Sequence, residues 1–176
     1  DILFKHSINE KVVAIGETGL DYFRLKGNLS WQRDRFRTHI RAAIKSKLPL
    51  IIHTRNAQDD TINIMKEEGA NSATGVMHCF TESYEMAKKA IDLGFYISFS
   101  GIITFKNAET LRETVKKIPI ENILIETDSP YLAPVPNRGK LNEPANVKYV
   151  AAQIAELKNI SIEEVAEITT NNFFTL

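Results

Sequence analysis

Cysteine is almost missing from this sequence. Cys79 is the only one in 176 residues, which excludes an intramolecular disulfide and fits a reducing, cytoplasmic setting. Long apolar runs are missing too: none approaches the roughly 18 residues that a membrane-spanning helix requires. The opening stretch Asp1-Ile2-Leu3-Phe4-Lys5-His6 lacks the basic head and apolar core of a signal peptide. It also lacks an initiator methionine, so the chain begins as though cut from something longer. An excess of one charge is absent as well. Twenty-two basic side chains balance 22 acidic ones, so no net field marks a nucleic acid or a membrane as the partner. There is no Gly-rich phosphate loop, and no serine or cysteine has the setting of a catalytic nucleophile.

What is present reads as a single domain over residues 1–176, with 43% apolar residues for a core. Strand candidates are Val12–Glu17, Leu48–His53, Gly75–Phe80, Phe95–Ser100 and Ile123–Asp128. Most are near-continuous apolar runs, as expected of strands buried on both faces of a parallel sheet. Helical spacing fills the gaps. Ser30 can cap a helix whose Phe36, Ile40, Ala43 and Ile44 share a face. Tyr84, Ala87 and Ile91 form a second stripe, and Leu111, Val115 and Ile118 a third behind a cap at Asn107. Val147, Val150, Ala151 and Ile154 form a fourth, and Ser161 with Glu164 has capping-box spacing at the start of the last helix. Alternating strands and helices give either a closed (β/α)8 barrel or an open doubly wound sheet. Between Ser129 and Asn146 lies one irregular stretch with four of the six prolines, long enough to be either functional or disordered.

The chemistry-bearing residues fall at strand ends. Glu17, His53, His78 and Asp128 close four of the five expected strands, and Ser98 and Ser100 close the fifth. In a β/α barrel those ends converge on one small volume, where two imidazoles and two carboxylates suit a divalent ion such as zinc, manganese or magnesium. Taken one at a time, each has a structural alternative: an ion pair for Glu17, a hydrogen-bonded core role for either histidine, a helix cap for Asp128. Arg55, Arg138 and Lys140 are candidates to grip phosphate, the last two in the loop after the final strand. Tyr22, Phe23 and Tyr131 are candidates for stacking on nucleobases, with core packing equally open to Phe23. His6 and His39 read as surface residues, and Cys79 as packing against helices on the strand face opposite His78.

Several stretches together resemble one family. Ala14-Ile15-Gly16-Glu17-Thr18-Gly19-Leu20-Asp21-Tyr22 resembles the central signature of the TatD family of metal-dependent deoxyribonucleases. Pro49-Leu50-Ile51-Ile52-His53-Thr54-Arg55, Gly75-Val76-Met77-His78-Cys79-Phe80 and Glu126-Thr127-Asp128-Ser129-Pro130-Tyr131-Leu132 are similar to its later strands. Pro136-Asn137-Arg138-Gly139-Lys140-Leu141-Asn142-Glu143-Pro144 resembles its last loop. The resemblance implies a (β/α)8 TIM-type barrel of the amidohydrolase type with two divalent ions (Mg, Mn or Zn), cleaving phosphodiester bonds in DNA. Glu17 would bridge the ions, His53 and His78 would bind one, and Asp128 would bind the other and activate water. Arg55, Arg138 and Lys140 would neutralise phosphate. A His-x-His pair expected on the family's first strand is absent, and five strands stand where a barrel has eight. The expectation is therefore an N-terminally truncated barrel, corresponding to the last five strands and holding one of the two ions.

Three readings follow from this. The first is a 3'-to-5' exonuclease on single-stranded DNA. The second is an amidohydrolase-type enzyme acting on a small amide or ester. The third is an inactive truncated barrel. DNA is the expected partner, no membrane is involved, and the oligomeric state is left open.

Overall fold

A computed structural model describes residues 2–176. Its five strands are ordered β1-β2-β3-β4-β5, with parallel pairing of β1 with β2, β2 with β3 and β4 with β5. Sequential order with parallel pairing requires a crossover between strands, and helices supply it. The chain divides into two compact units.

The first unit takes in the chain up to His78 together with Lys89–Tyr96. It holds α1 (Ile2–Ser7), β1 (Ile15–Asp21), α2 (Ser30–Ser46), β2 (Leu50–Arg55), α3 (Gln58–Glu67) and β3 (Gly75–Met77). Its core is built by Leu20, Phe36, Ile40, Ala43, Leu50, Ile52, Met65 and Met77, all buried. Ala42 completes the buried face of α2 where Ile44 was expected; Ile44 is only half-buried. The first turn of α2 carries no side-chain cap, and Leu29 rather than Ser30 holds the N-cap position. Glu68, just past α3, ties that helix to α2 through Arg41 (2.6 Å) and Arg37 (3.1 Å). The hydrogen bond from Arg41, followed by that from Arg37, holds the Glu68 carboxyl below its ordinary value.

β1 departs from expectation in a way that matters for the site. It runs over Ile15–Asp21, not Val12–Glu17. The ladder to β2 skips from Ile15 opposite Leu50 to Thr18 opposite Ile52, then continues through Gly19 opposite His53 to Asp21 opposite Arg55. The extra residue is a bulge around Gly16 and Glu17, a device that re-aims a side chain. Gly19 makes the following approach possible. Its φ is +129°, and a Cβ there would run into the carbonyl oxygen of His53. Glu17 and His53 therefore lie inside their strands rather than at the ends, because cross-strand register, not apolar composition, decides where pairing stops.

The second unit comprises Cys79–Lys88 and Ile97–Leu176. α4 (Tyr84–Asp92) and β4 (Phe95–Phe99) each begin in one unit and end in the other, and α5 (Glu109–Lys117), β5 (Ile123–Ile125), α6 (Val147–Lys158) and α7 (Ile162–Thr175) follow. β3 and β5 are shorter than expected, and beyond them Cys79 (φ 43°) and Asp128 (φ 55°) turn the backbone into the left-handed region. Backbone pairing nevertheless runs on from β3 and β5, with Phe80 N–H donating to Ser98 O and Glu126 N–H to Phe99 O. That turn also takes Cys79 out of the strand's alternation. Instead of packing against helices, its sulfur lies 3.3 Å from Ser100 Oγ and its N–H donates to Glu126 Oε2 at 3.0 Å. Met86, Ala87 and Ala90 form the buried face of α4, with Tyr84 and Ile91 at its half-buried margin. Ala108 rather than Asn107 precedes α5. At α7 the expected cap is present: Ser161 Oγ accepts from Glu164 N–H at 3.1 Å.

The proline-rich stretch after β5 is ordered by asparagines. Buried Asn142 donates to the carbonyls of Thr127 (2.8 Å) and Tyr131 (2.6 Å) and accepts from Glu143 N–H and Asn146 Nδ2. Asn137 donates in turn to Asn146 Oδ1. Among the described residues, no helix is long and apolar enough to cross a membrane.

Candidate metal centre

β1, β2 and the residue after β3 bring three side chains of the first unit together. Glu17 projects from the bulge, His53 from the middle of β2, and His78 directly follows Met77, its N–H held by Ile52 O at 2.9 Å. His53 Nδ1 lies 3.2 Å and His78 Nε2 3.3 Å from the same oxygen, Oε1 of Glu17. The three ligand atoms all lie within 4.8 Å of one another. Exposure is graded across the group: 54% for the Glu17 side chain, 31% for His53 and 16% for His78. The glutamate thus faces solvent while the imidazoles are seated.

This donor set fits a divalent ion. Two ligands on one ion with bonds of about 2.1 Å stand roughly 3.0–3.4 Å apart, which matches both His–Glu spacings. Two imidazoles and a carboxylate also have the mixed hardness that borderline ions accept.

Asp21 is a member of this group that residue type and spacing did not single out. It closes β1, and its Oδ2 lies 3.2 Å from the other nitrogen of His53, Nε2. Accepting the Nε2 proton leaves the Nδ1 lone pair facing Glu17, the arrangement by which a carboxylate orients a metal-binding histidine. Asp21 is itself fixed. Its Oδ1 accepts from Phe23 N–H (2.8 Å), and its backbone N–H and C=O both bond to the Gln32 side chain at 2.8 Å. The only signal in the sequence was its place at the end of the Glu17-to-Tyr22 motif.

The other candidates are placed as follows. Arg55 lies flat over Phe23, its guanidinium carbon 3.6 Å from the ring centroid. In the second unit Arg138 stacks in the same way on Phe105, at 3.5 Å. A guanidinium seated over a ring retains N–H donors that can engage phosphate oxygens bidentately. Lys140 and Tyr131 are exposed on the same loop as Arg138. Tyr22 is engaged: its hydroxyl donates to Asp60 Oδ2 at 2.6 Å and accepts from Arg33. Burial and that carboxylate raise its pKa. Asp128 lies in the second unit with its Oδ2 3.9 Å from Cys79 Sγ, and Glu126, also unpredicted, holds the Cys79 amide. His6 is exposed, as expected, while His39 is half-buried, its Nδ1 2.8 Å from the Arg35 carbonyl oxygen.

The sequence profile of TatD-related DNases matches residues 3–176. The chain belongs to that family. A protein of Buchnera aphidicola (subsp. Baizongia pistaciae) named an uncharacterized metal-dependent hydrolase is 56% identical over 99% of this chain and 66% of its own length. YabD of Bacillus subtilis, also named an uncharacterized metal-dependent hydrolase, is 54% identical over 94% of this chain and 65% of its own. The chain thus spans slightly less than two thirds of the length of these relatives. Among solved structures, the TatD homologue YjjV of Escherichia coli superposes with a TM-score of 0.92 at 30% identity, covering 99% of this chain and 68% of that one. The parallel five-stranded α/β sheet is accordingly that of the TatD barrels, which decides between the barrel and the open doubly wound sheet.

Proposed function

We propose that this chain carries the metal-holding strands of a phosphodiesterase that hydrolyses DNA, removing nucleotides 3'-to-5' from single strands. The observation that carries the reading is the convergence of His53 Nδ1 and His78 Nε2 on Glu17 Oε1. Membership of a family described as DNases supports a nucleic-acid substrate. The ring-stacked guanidinium of Arg55, two residues beyond a proposed ligand, favours phosphate over an amide.

In this reading Glu17, His53 and His78 hold a divalent ion, and Asp21 keeps His53 in the tautomer that offers Nδ1. A divalent ion there supplies Lewis-acid polarisation and a lowered water pKa. Arg55 binds and orients the non-bridging phosphate oxygens, and the family resemblance gives Arg138 and Lys140 the role of neutralising phosphate. The role that the family resemblance gives Asp128 is to bind a second ion and help activate the attacking water.

The test is nucleotide release from end-labelled single-stranded oligonucleotides in manganese or magnesium. Chelator should abolish it, and His53→Ala or Glu17→Ala should lower kcat/KM by about a hundredfold or more. Undiminished cleavage by the double variant, or turnover of amides and esters with oligonucleotides left intact, would overturn the proposal.

A further inference from the structure

The first turn of α2 presents a tryptophan that packing leaves half outside. Trp31 is the only tryptophan of the chain, and it is 50% exposed. Its position is nonetheless held. The next residue, Gln32, is bonded in both directions to the Asp21 backbone, which ties this turn to the end of β1 beside His53. One helical turn on, Arg35 places its guanidinium carbon 4.9 Å from the Trp31 ring centroid. The i, i+4 pair forms a flat cationic–aromatic shelf.

That shelf borders a cleft of about 490 Å³ whose lining also includes Glu17 and His53. The size lies within the range of small-ligand sites, roughly 300–1,000 Å³. Thr18 lines the cleft too. It is 6% exposed, and its hydroxyl has no hydrogen-bond partner among the described residues. Its hydroxyl oxygen is itself buried, so the cleft wall at Thr18 is closed rather than open to solvent. A half-exposed aromatic face and a guanidinium next to two proposed metal ligands suit a planar heteroaromatic ring.

We infer that this cleft is a nucleobase subsite: the base adjoining the scissile phosphate of a single-stranded DNA stacks on Trp31. The inference rests on the phosphodiesterase reading above and adds to it the contact that would hold the substrate's end. Base–aromatic stacking tolerates any sequence, as an exonuclease requires.

Because Trp31 is the sole indole, its emission reports on the site directly. The full chain in manganese is titrated with a phosphorothioate-linked thymidine tetranucleotide, which resists hydrolysis, and with its abasic counterpart. Trp31 emission should fall with the tetranucleotide and stay level with the abasic strand. Trp31→Ala should weaken tetranucleotide binding about tenfold or more, and Trp31→Phe much less. Neither change should alter affinity for the abasic strand. Equal affinity for the two strands, or unchanged binding by Trp31→Ala, while the wild-type chain still cleaves DNA, overturns the subsite alone. A chain that neither binds nor cuts oligonucleotides overturns the subsite and the phosphodiesterase reading together.

Discussion

His53 has a carboxylate at each ring nitrogen, Glu17 at Nδ1 and Asp21 at Nε2. The two acids have different neighbours. Glu17 is exposed and shared with His78, while Asp21 spends its second oxygen on the Phe23 amide and its backbone on Gln32. Asp21 therefore acts through His53 rather than on a substrate. Asp21→Asn keeps the shape but loses the charge that favours the Nε2–H tautomer. Outer partners of metal-binding histidines are typically worth 10- to 100-fold in affinity. Calorimetric titration with manganese or zinc should show a loss of about that size, with the thermal transition of the chelated protein little changed. An unchanged metal affinity would remove Asp21 from the centre.

Two parts of the fold depend on polar pairing, one buried and one near the surface. Asn142 satisfies the carbonyls of Thr127 and Tyr131 and anchors Asn146. Removing a partner from buried groups costs roughly 1–3 kcal/mol each, so Asn142→Ala should loosen the stretch from Ser129 to Asn146 selectively. Limited proteolysis should then cut near Arg138 or Lys140 much faster than in the wild type; equal cleavage rates would count against this anchor. The α2–α3 clamp predicts a pH dependence. The carboxyl of Glu68 is held below its ordinary 4.5 by Arg41 and Arg37. Its contribution to stability is thus complete above that value and disappears as pH falls through the lowered folded-state value. Thermal melts should show Glu68→Gln less stable than wild type at pH 7, with the two converging as the acid side of the lowered folded-state value is reached. A gap that persists there would mean that the pair contributes by packing rather than charge.

For the whole molecule, an ion that binds only the folded chain must stabilise it. At about 100 times Kd the gain is roughly 2.7 kcal/mol, or about 5–10 °C in Tm for a chain of this size. Manganese should raise the melting temperature by that amount. The rise should vanish on adding chelator, and in Glu17→Ala and His78→Ala. A rise that survives both substitutions would place the ion elsewhere.

By itself the sequence determined the class of fold and the roster of ligand candidates. Near-continuous apolar runs separated by helical spacing reflect strands covered on both faces, and that is a local property of the chain. The capping box at Ser161 and Glu164 was legible for the same reason. The clustering of Glu17, His53 and His78 was an expectation that only coordinates could express as distances. The strand limits, the bulge at Gly16 and Glu17, the attachment of Asp21 to His53 and the turn at Cys79 were not legible. Each depends on cross-strand register or on a contact between residues far apart in the chain: 32 positions separate Asp21 from His53. Likewise, nothing local distinguishes Trp31 from a core tryptophan. Its exposure follows from how α2 docks on β1, which tertiary packing alone decides.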